Sequence, residues 1–211
     1  MRFDPAGYPF VALALLPAIV AWTLGASVVA GLLLLLPVAI LLFFRDPERT
    51  TPQDATAVYA PADGTVMHAG PSRPGEAPDG TWQQVTIFLS LLDVHINRTP
   101  VSGVVKNVLY VPGSFLAAFK AESYRNEHSE IWIDSGGLPV VVRQVVGLLA
   151  RRVVCRVRPE QALTAGERIG LMKFGSRMDV FVPASAVITV TSGTQVQAGI
   201  TVIARLARNQ P

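Results

Sequence analysis

The residues in this chain with the clearest potential for covalent chemistry are Gly175 and Ser176, in the run Lys173-Phe174-Gly175-Ser176-Arg177-Met178-Asp179. A serine hydroxyl is a weak nucleophile until a base takes its proton. A preceding glycine reaches φ > 0 and has no side chain to block approach to its own carbonyl. In that setting the Ser176 oxygen attacks the Gly175 carbonyl, and the amide becomes an ester by an N-to-O acyl shift. Elimination releases the upstream chain with a Gly175 carboxylate and leaves dehydroalanine, which hydrolyses to a pyruvoyl group and ammonia. Gly-Ser alone is equally a plain turn pair, so its meaning rests on its surroundings. Here it lies between two strand-like runs, 167–172 and 178–182.

A base and an acid lie upstream. His95, in Leu92-Asp93-Val94-His95-Ile96-Asn97-Arg98, titrates near neutrality and suits proton transfer. Ser90 and Asp93 are spaced as a capping box, so Asp93 is expected to close a short turn that sets the direction of His95. Asp63, in Ala60-Pro61-Ala62-Asp63-Gly64, reads first as a turn residue, because Asp-Gly is a standard turn pair. As a partner for His95 it would orient the ring and stabilise imidazolium, completing an acid–imidazole–hydroxyl set with Ser176. The order Asp63, His95, Ser176 carries no geometry by itself. His68 is expected to face solvent from a strand, and His128 to lie in the polar loop Arg125-Asn126-Glu127-His128-Ser129-Glu130. The three histidines and the single Cys155 have no metal-ligand spacing, so no metal is expected. No phosphate-binding glycine loop or dinucleotide fingerprint is present. Arg151, Arg152, Arg156 and Arg158 form a basic cluster, read as a solvated face or as a site for headgroup phosphates.

These residues need elements to hold them. Residues 5–44 carry no charge, with Gly25 and Ser27 between two apolar halves. A full span takes about 20 apolar residues, so residues 1–45 are expected to form a hydrophobic membrane-anchoring helical hairpin. Arg2 precedes it and Arg45 and Arg49 follow, which puts both ends on the cytoplasmic side. Pro17 and Pro37 are expected to kink the helices. The run is too long for a signal peptide, and its leucine stretch shows no polar face for a soluble hairpin.

Residues 46–211 read as mostly β. Strand candidates are 85–89, 104–111, 131–133, 140–146, 153–157, 187–190 and 200–203, and 113–122 is the best helix candidate of the soluble part. Ala60-Pro61-Ala62-Asp63-Gly64-Thr65-Val66 and Thr99-Pro100-Val101-Ser102-Gly103-Val104-Val105 echo each other, each with a glycine turn before a strand. Gly193, Val196, Gly199 and Val202 resemble the end of lipoyl-type barrels. The expected fold is a compact barrel or sandwich of short strands. The net charge of +3 and pI of 9.4 are mildly basic, too weak for a nucleic-acid binder and suited to anionic lipid surfaces.

Four motifs in order resemble the short-form phosphatidylserine decarboxylases. They are Phe43-Phe44-Arg45-Asp46-Pro47, Ala60-Pro61-Ala62-Asp63-Gly64, the long run from Phe88-Leu89-Ser90 through Asp93-Val94-His95-Ile96-Asn97-Arg98 to Ser102-Gly103, and Phe174-Gly175-Ser176-Arg177-Met178-Asp179. The resemblance implies self-cleavage at Gly175-Ser176 into a large chain, 1–175, and a small chain, 176–211, that stay associated. Ser176 would become a covalent pyruvoyl group, with His95 and Asp63 as auxiliary acid–base residues. The pyruvoyl carbonyl would form a Schiff base with the serine amine of phosphatidylserine, withdraw electrons as carbon dioxide leaves, and yield phosphatidylethanolamine. Two departures stand out. Arg98 occupies the place where long-form relatives carry a second histidine, and Asn126-Glu127-His128 replaces the usual Asn-Glu-Arg. Other readings of the same residues are an archaetidylserine decarboxylase, a non-catalytic membrane-tethered lipoyl-like module, and a serine hydrolase that uses Ser176 in trans.

Overall fold

The computed structural model describes residues 1–148, 153–173 and 176–207. The chain divides into two compact units, Met1–Glu48 and Arg49–Pro211. The first is a helical hairpin closed at its base. Strand β1 (Arg2–Phe3) leads through a 3-10 turn, Pro5–Gly7, into helix α1 (Tyr8–Thr23). Helices α2 (Ser27–Leu33) and α3 (Leu35–Phe43) return, and strand β2 (Arg45–Asp46) pairs antiparallel with β1. Gly25, at φ +78°, makes the tight reversal between α1 and α2. The helices are packed inside out. Small residues Ala14, Ala18, Ala21 and Ala30 are buried between them, while Leu13, Leu16, Ile19, Trp22, Val28 and Leu35 are exposed. Small residues let helices approach closely where lipid takes the place of a hydrophobic core. The helical stretch Pro5–Thr23 is long and apolar enough to cross a membrane. α1 continues through Pro17. The return path is instead split at Leu34, three residues before Pro37, whose missing N–H cannot serve the Leu33 carbonyl.

The second unit is built from short antiparallel strands. In chain order they are β3 (Ala57–Tyr59), β4 (Gly64–Pro71), β5 (Trp82–Leu89), β6 (Ile96–Arg98), β7 (Gly103–Val111), β8 (His128–Asp134) and β9 (Pro139–Val145). Then follow β10 (Val153–Cys155), β11 (Ala162–Leu163), β12 (Arg168–Met172), β13 (Ser176–Pro183), β14 (Val187–Ile188), β15 (Gln195–Val196) and β16 (Val202–Arg205). Eight form one curled sheet in the order β11-β7-β8-β9-β13-β5-β4-β15. Two three-stranded sheets, β10-β12-β6 and β14-β16-β3, complete the unit. Val66, Val85, Ile87, Leu89, Ile131, Val142, Met178 and Val180 from the large sheet share one core with Ile169 and Met172 of β12 and Ile203 of β16.

Each of the seven strand candidates contains or overlaps a strand, and the fold is mostly β behind a helical hairpin, as its sequence pattern predicts. The internal echo is structural too. Gly64 and Gly103 each open a strand against a neighbouring carbonyl, and a Cβ there would lie 2.1 Å from the Phe88 oxygen or 2.3 Å from the Asp134 oxygen. The helix expected over 113–122 is absent. Ser114 bridges Asn126 instead, and the Asn126 amide binds both the N–H and the carbonyl of Leu116, at 2.9 and 2.7 Å. Those bonds hold the segment extended, and helix forms only as a 3-10 turn, Ala121–Arg125. His128 is likewise not in a loop: it opens β8 and is buried.

Candidate active site

Three strands line up the residues singled out by their chemistry. Ser176 is the first residue of β13 and lies opposite Leu89, the last of β5. Phe88 pairs with Arg177 on one side and with Thr65 of β4 on the other, so Asp63-Gly64 arrives at the same end of the sheet. The chain leaving β5 turns at Ser90, whose N–H and hydroxyl both donate to the Asp93 carboxylate, at 2.8 and 2.7 Å. This is the closed turn that the Ser90/Asp93 spacing predicts. It delivers His95 just ahead of β6, and the His95 carbonyl accepts from the N–H of Met172, the last residue of β12. His95 thus meets the last residue of β12, and Ser176 is the first residue of β13. Gly175 and Phe174 lie outside the described residues, as do Arg151 and Arg152 of the basic cluster.

Ser176 is fully buried, and its Oγ has no hydrogen-bond partner among the described residues. His95 is 2% exposed, and its Nδ1 stands 2.9 Å from the Asp93 carbonyl oxygen. A carbonyl only accepts, so Nδ1 carries a proton, and in the neutral ring the basic lone pair is the one on Nε2. Asp63 is held by Arg49 through both oxygens, at 2.5 and 2.7 Å, and by the N–H of Ala198 at 2.8 Å. The partner found for Asp63 is therefore Arg49, a residue that sequence reasoning used only as a membrane-flanking charge. Arg98 donates to the Gly166 carbonyl at 2.8 Å. His128 donates from Nδ1 to the Asn126 carbonyl at 2.8 Å, and burial pushes its pKa down.

Behind Ser176, on the opposite face of β13, lies a buried ion network that sequence reasoning missed. Arg177 is 1% exposed. Its guanidinium donates to Asp179 at 2.8 Å, to the Ser123 hydroxyl at 3.1 Å and to Glu76. Asp179 also accepts from Thr86 at 2.7 Å, and Gln84 bridges Glu76 and Thr86 at 3.0 Å each. Nearby, Arg143 pairs with Glu130 at 2.5 Å and stacks over the Phe181 ring. The available signal was the alternation Arg177, Asp179 against Met178, Val180, Val182. It puts two opposite charges on one face of a strand whose other face is apolar.

This arrangement fits a self-cleaving serine. The hydroxyl is dry and fixed at a strand end, and the neighbouring strand β5 leads through the Ser90–Asp93 turn to His95, whose Nδ1 is held by that turn. The conserved-domain profile described as phosphatidylserine decarboxylase matches residues 38–204. A phosphatidylserine decarboxylase proenzyme of Geobacter metallireducens is 40% identical over 207 residues, 95% of this chain and 94% of that protein. Proenzymes of the same name from Chlorobium chlorochromatii and Geobacter sulfurreducens are 44% identical over 186 residues and 43% over 206. They cover 87% and 93% of this chain, and 84% and 93% of their own lengths. Matched by the family's own profile over residues 38–204 and by relatives at 40–44% identity over most of its length, the chain belongs to the phosphatidylserine decarboxylase family.

Proposed function

We propose that this protein decarboxylates phosphatidylserine to phosphatidylethanolamine at a membrane, using a pyruvoyl group that it makes from its own Ser176. Alongside family membership, the observation that carries this reading is Ser176 itself, a buried hydroxyl with no partner among the described residues at the start of β13, opposite the strand end from which the chain turns to His95. His95 takes the hydroxyl proton through Nε2, and the Asp93 carbonyl keeps Nδ1 protonated and the ring aligned. Asp63, paired with Arg49, acts at a distance from the ring by anchoring the start of β4 at the same end of the sheet. The cut falls between Gly175 and Ser176 and leaves chains 1–175 and 176–211. Strand β13, inserted between β5 and β9, keeps them together. The new carbonyl supplies the electron sink for loss of carbon dioxide. Arg2 and Arg45, on either side of the helical hairpin, support a catalytic unit on the cytoplasmic side.

Carbon dioxide release from carboxyl-labelled phosphatidylserine tests this directly. Release is expected, with loss of activity on borohydride or hydroxylamine treatment and no rescue by pyridoxal phosphate. A mature two-chain protein that releases no carbon dioxide from a serine phospholipid would contradict it.

A further inference from the structure

The inner face of β13 continues past Ser176 into a buried polar pair that the chemistry above does not use. Gln144 of β9 lies opposite Met178, and antiparallel partners share a face. Ser176 is two residues from Met178, so Ser176 and Gln144 are diagonal neighbours on the core side of the sheet. Their Cβ atoms sit about 7–8 Å apart in such a ladder. The Gln144 amide crosses to the small sheet and donates to Asn97 Oδ1 at 2.7 Å. Asn97 is on β6, two residues after His95. Gly170 of β12 makes room, since a Cβ there would stand 2.9 Å from Gln144 Nε2.

Both amides are fully buried, yet each is only half satisfied. Asn97 Nδ2 and Gln144 Oε1 have no hydrogen-bond partner among the described residues. Turning both amides over exchanges the roles but still leaves one donor and one acceptor unpaired. Unsatisfied buried polar atoms are costly and rare, so a pair of them beside a reactive serine calls for a ligand.

We propose that Asn97 and Gln144 form the subsite that recognises the zwitterionic amino-acid end of the lipid headgroup. This rests on the decarboxylase reading above. A serine headgroup presents an ammonium, which needs acceptors, and a carboxylate, which needs donors. The free amide N–H meets the carboxylate and the free amide carbonyl meets the ammonium, within reach of residue 176. A neutral amide also suits the reaction, because it orients the carboxylate without the strong stabilisation that a guanidinium would give to the group about to be lost. The pair is a specificity determinant and takes no part in bond making.

The test uses full-length protein in detergent micelles and two variants, Asn97→Asp and the double apolar change Asn97→Leu with Gln144→Met. The first keeps the bond from Gln144 and replaces the free donor by a carboxylate that repels the substrate's own. The second removes both unpaired atoms at similar volume and should be neutral or stabilising to the fold. Mature protein is reduced with borohydride so that it binds without reacting. Short-chain phosphatidylserine and phosphatidylethanolamine are then titrated by calorimetry. Wild type is expected to prefer the serine headgroup, and both variants are expected to lose about tenfold or more of that preference. In unreduced protein KM should rise more than kcat falls. An unchanged headgroup preference overturns the proposal. A double variant with a lowered melting temperature also does so, because the pair is then structural. Variants that stay one chain overturn it too, because the pair then serves the cut. Wild type that releases no carbon dioxide from phosphatidylserine sinks the decarboxylase reading itself, an outcome separate from these.

Discussion

The two faces of β13 are built on opposite principles. On the outer face, Arg177 and Asp179 sit in a closed network with Glu76, Ser123, Thr86 and Gln84, in which the guanidinium reaches three partners. On the inner face, Ser176 and the nearby Gln144 and Asn97 have polar atoms that no described residue satisfies. Both faces are equally dry. A satisfied buried network is rigid, so the outer face serves to fix the strand. An unsatisfied buried atom is poorly stabilised where it stands, so the inner face is the reactive one. Adjacent residues, Ser176 and Arg177, thus divide the work of reacting and holding still.

Removing the proposed base, His95, is expected to have the largest effect. His95→Ala is expected to slow self-cleavage roughly 100-fold or more, and Asp63→Ala to slow it as well, followed as the appearance of the small chain on gels. Normal maturation in both would assign the proton transfer elsewhere. On the outer face, Arg177→Ala leaves Glu76 and Asp179 buried without their cation. A loss of about 3–5 kcal/mol in urea unfolding is expected, with partial recovery in Arg177→Lys. A surface-like loss of under about 1 kcal/mol would mean the network does not hold the strand.

A smaller effect concerns His128. Burial lowers its pKa in the folded state, so between that value and the unfolded 6.5 the unfolded chain binds more protons. Stability should therefore be full above about pH 7 and decline as pH falls through and below 6.5. His128→Asn should flatten that part of the profile, as read by melting temperature against pH. The mildest prediction is that Cys155, whose thiol pKa burial raises, reacts with iodoacetamide more slowly than a free thiol at neutral pH.

Much of this was legible before any coordinates. The uncharged run 5–44, with Gly25 in its middle, implies a hairpin because a break of that kind permits a reversal. The Ser90/Asp93 spacing implies the turn that aims His95, because capping is local chemistry. Long-range partners were not legible. Nothing near Asp63 in the sequence points to Arg49, and nothing in Val140-Val141-Val142-Arg143-Gln144-Val145 tells which strand Gln144 faces. The failed helix over 113–122 has the same cause. Its local pattern was acceptable, but one tertiary amide, Asn126, offered its backbone better partners.

The central claim is that Ser176 is converted, and denaturing mass spectrometry of the purified full-length protein tests it most directly. The account predicts two chains, 1–175 and 176–211, with the smaller one lighter by one ammonia than the same peptide beginning with serine. Ser176→Ala, lacking the attacking oxygen, should give a single uncut chain. Active wild-type protein with the mass of one intact chain, or a small chain that begins with an unmodified serine, would contradict it.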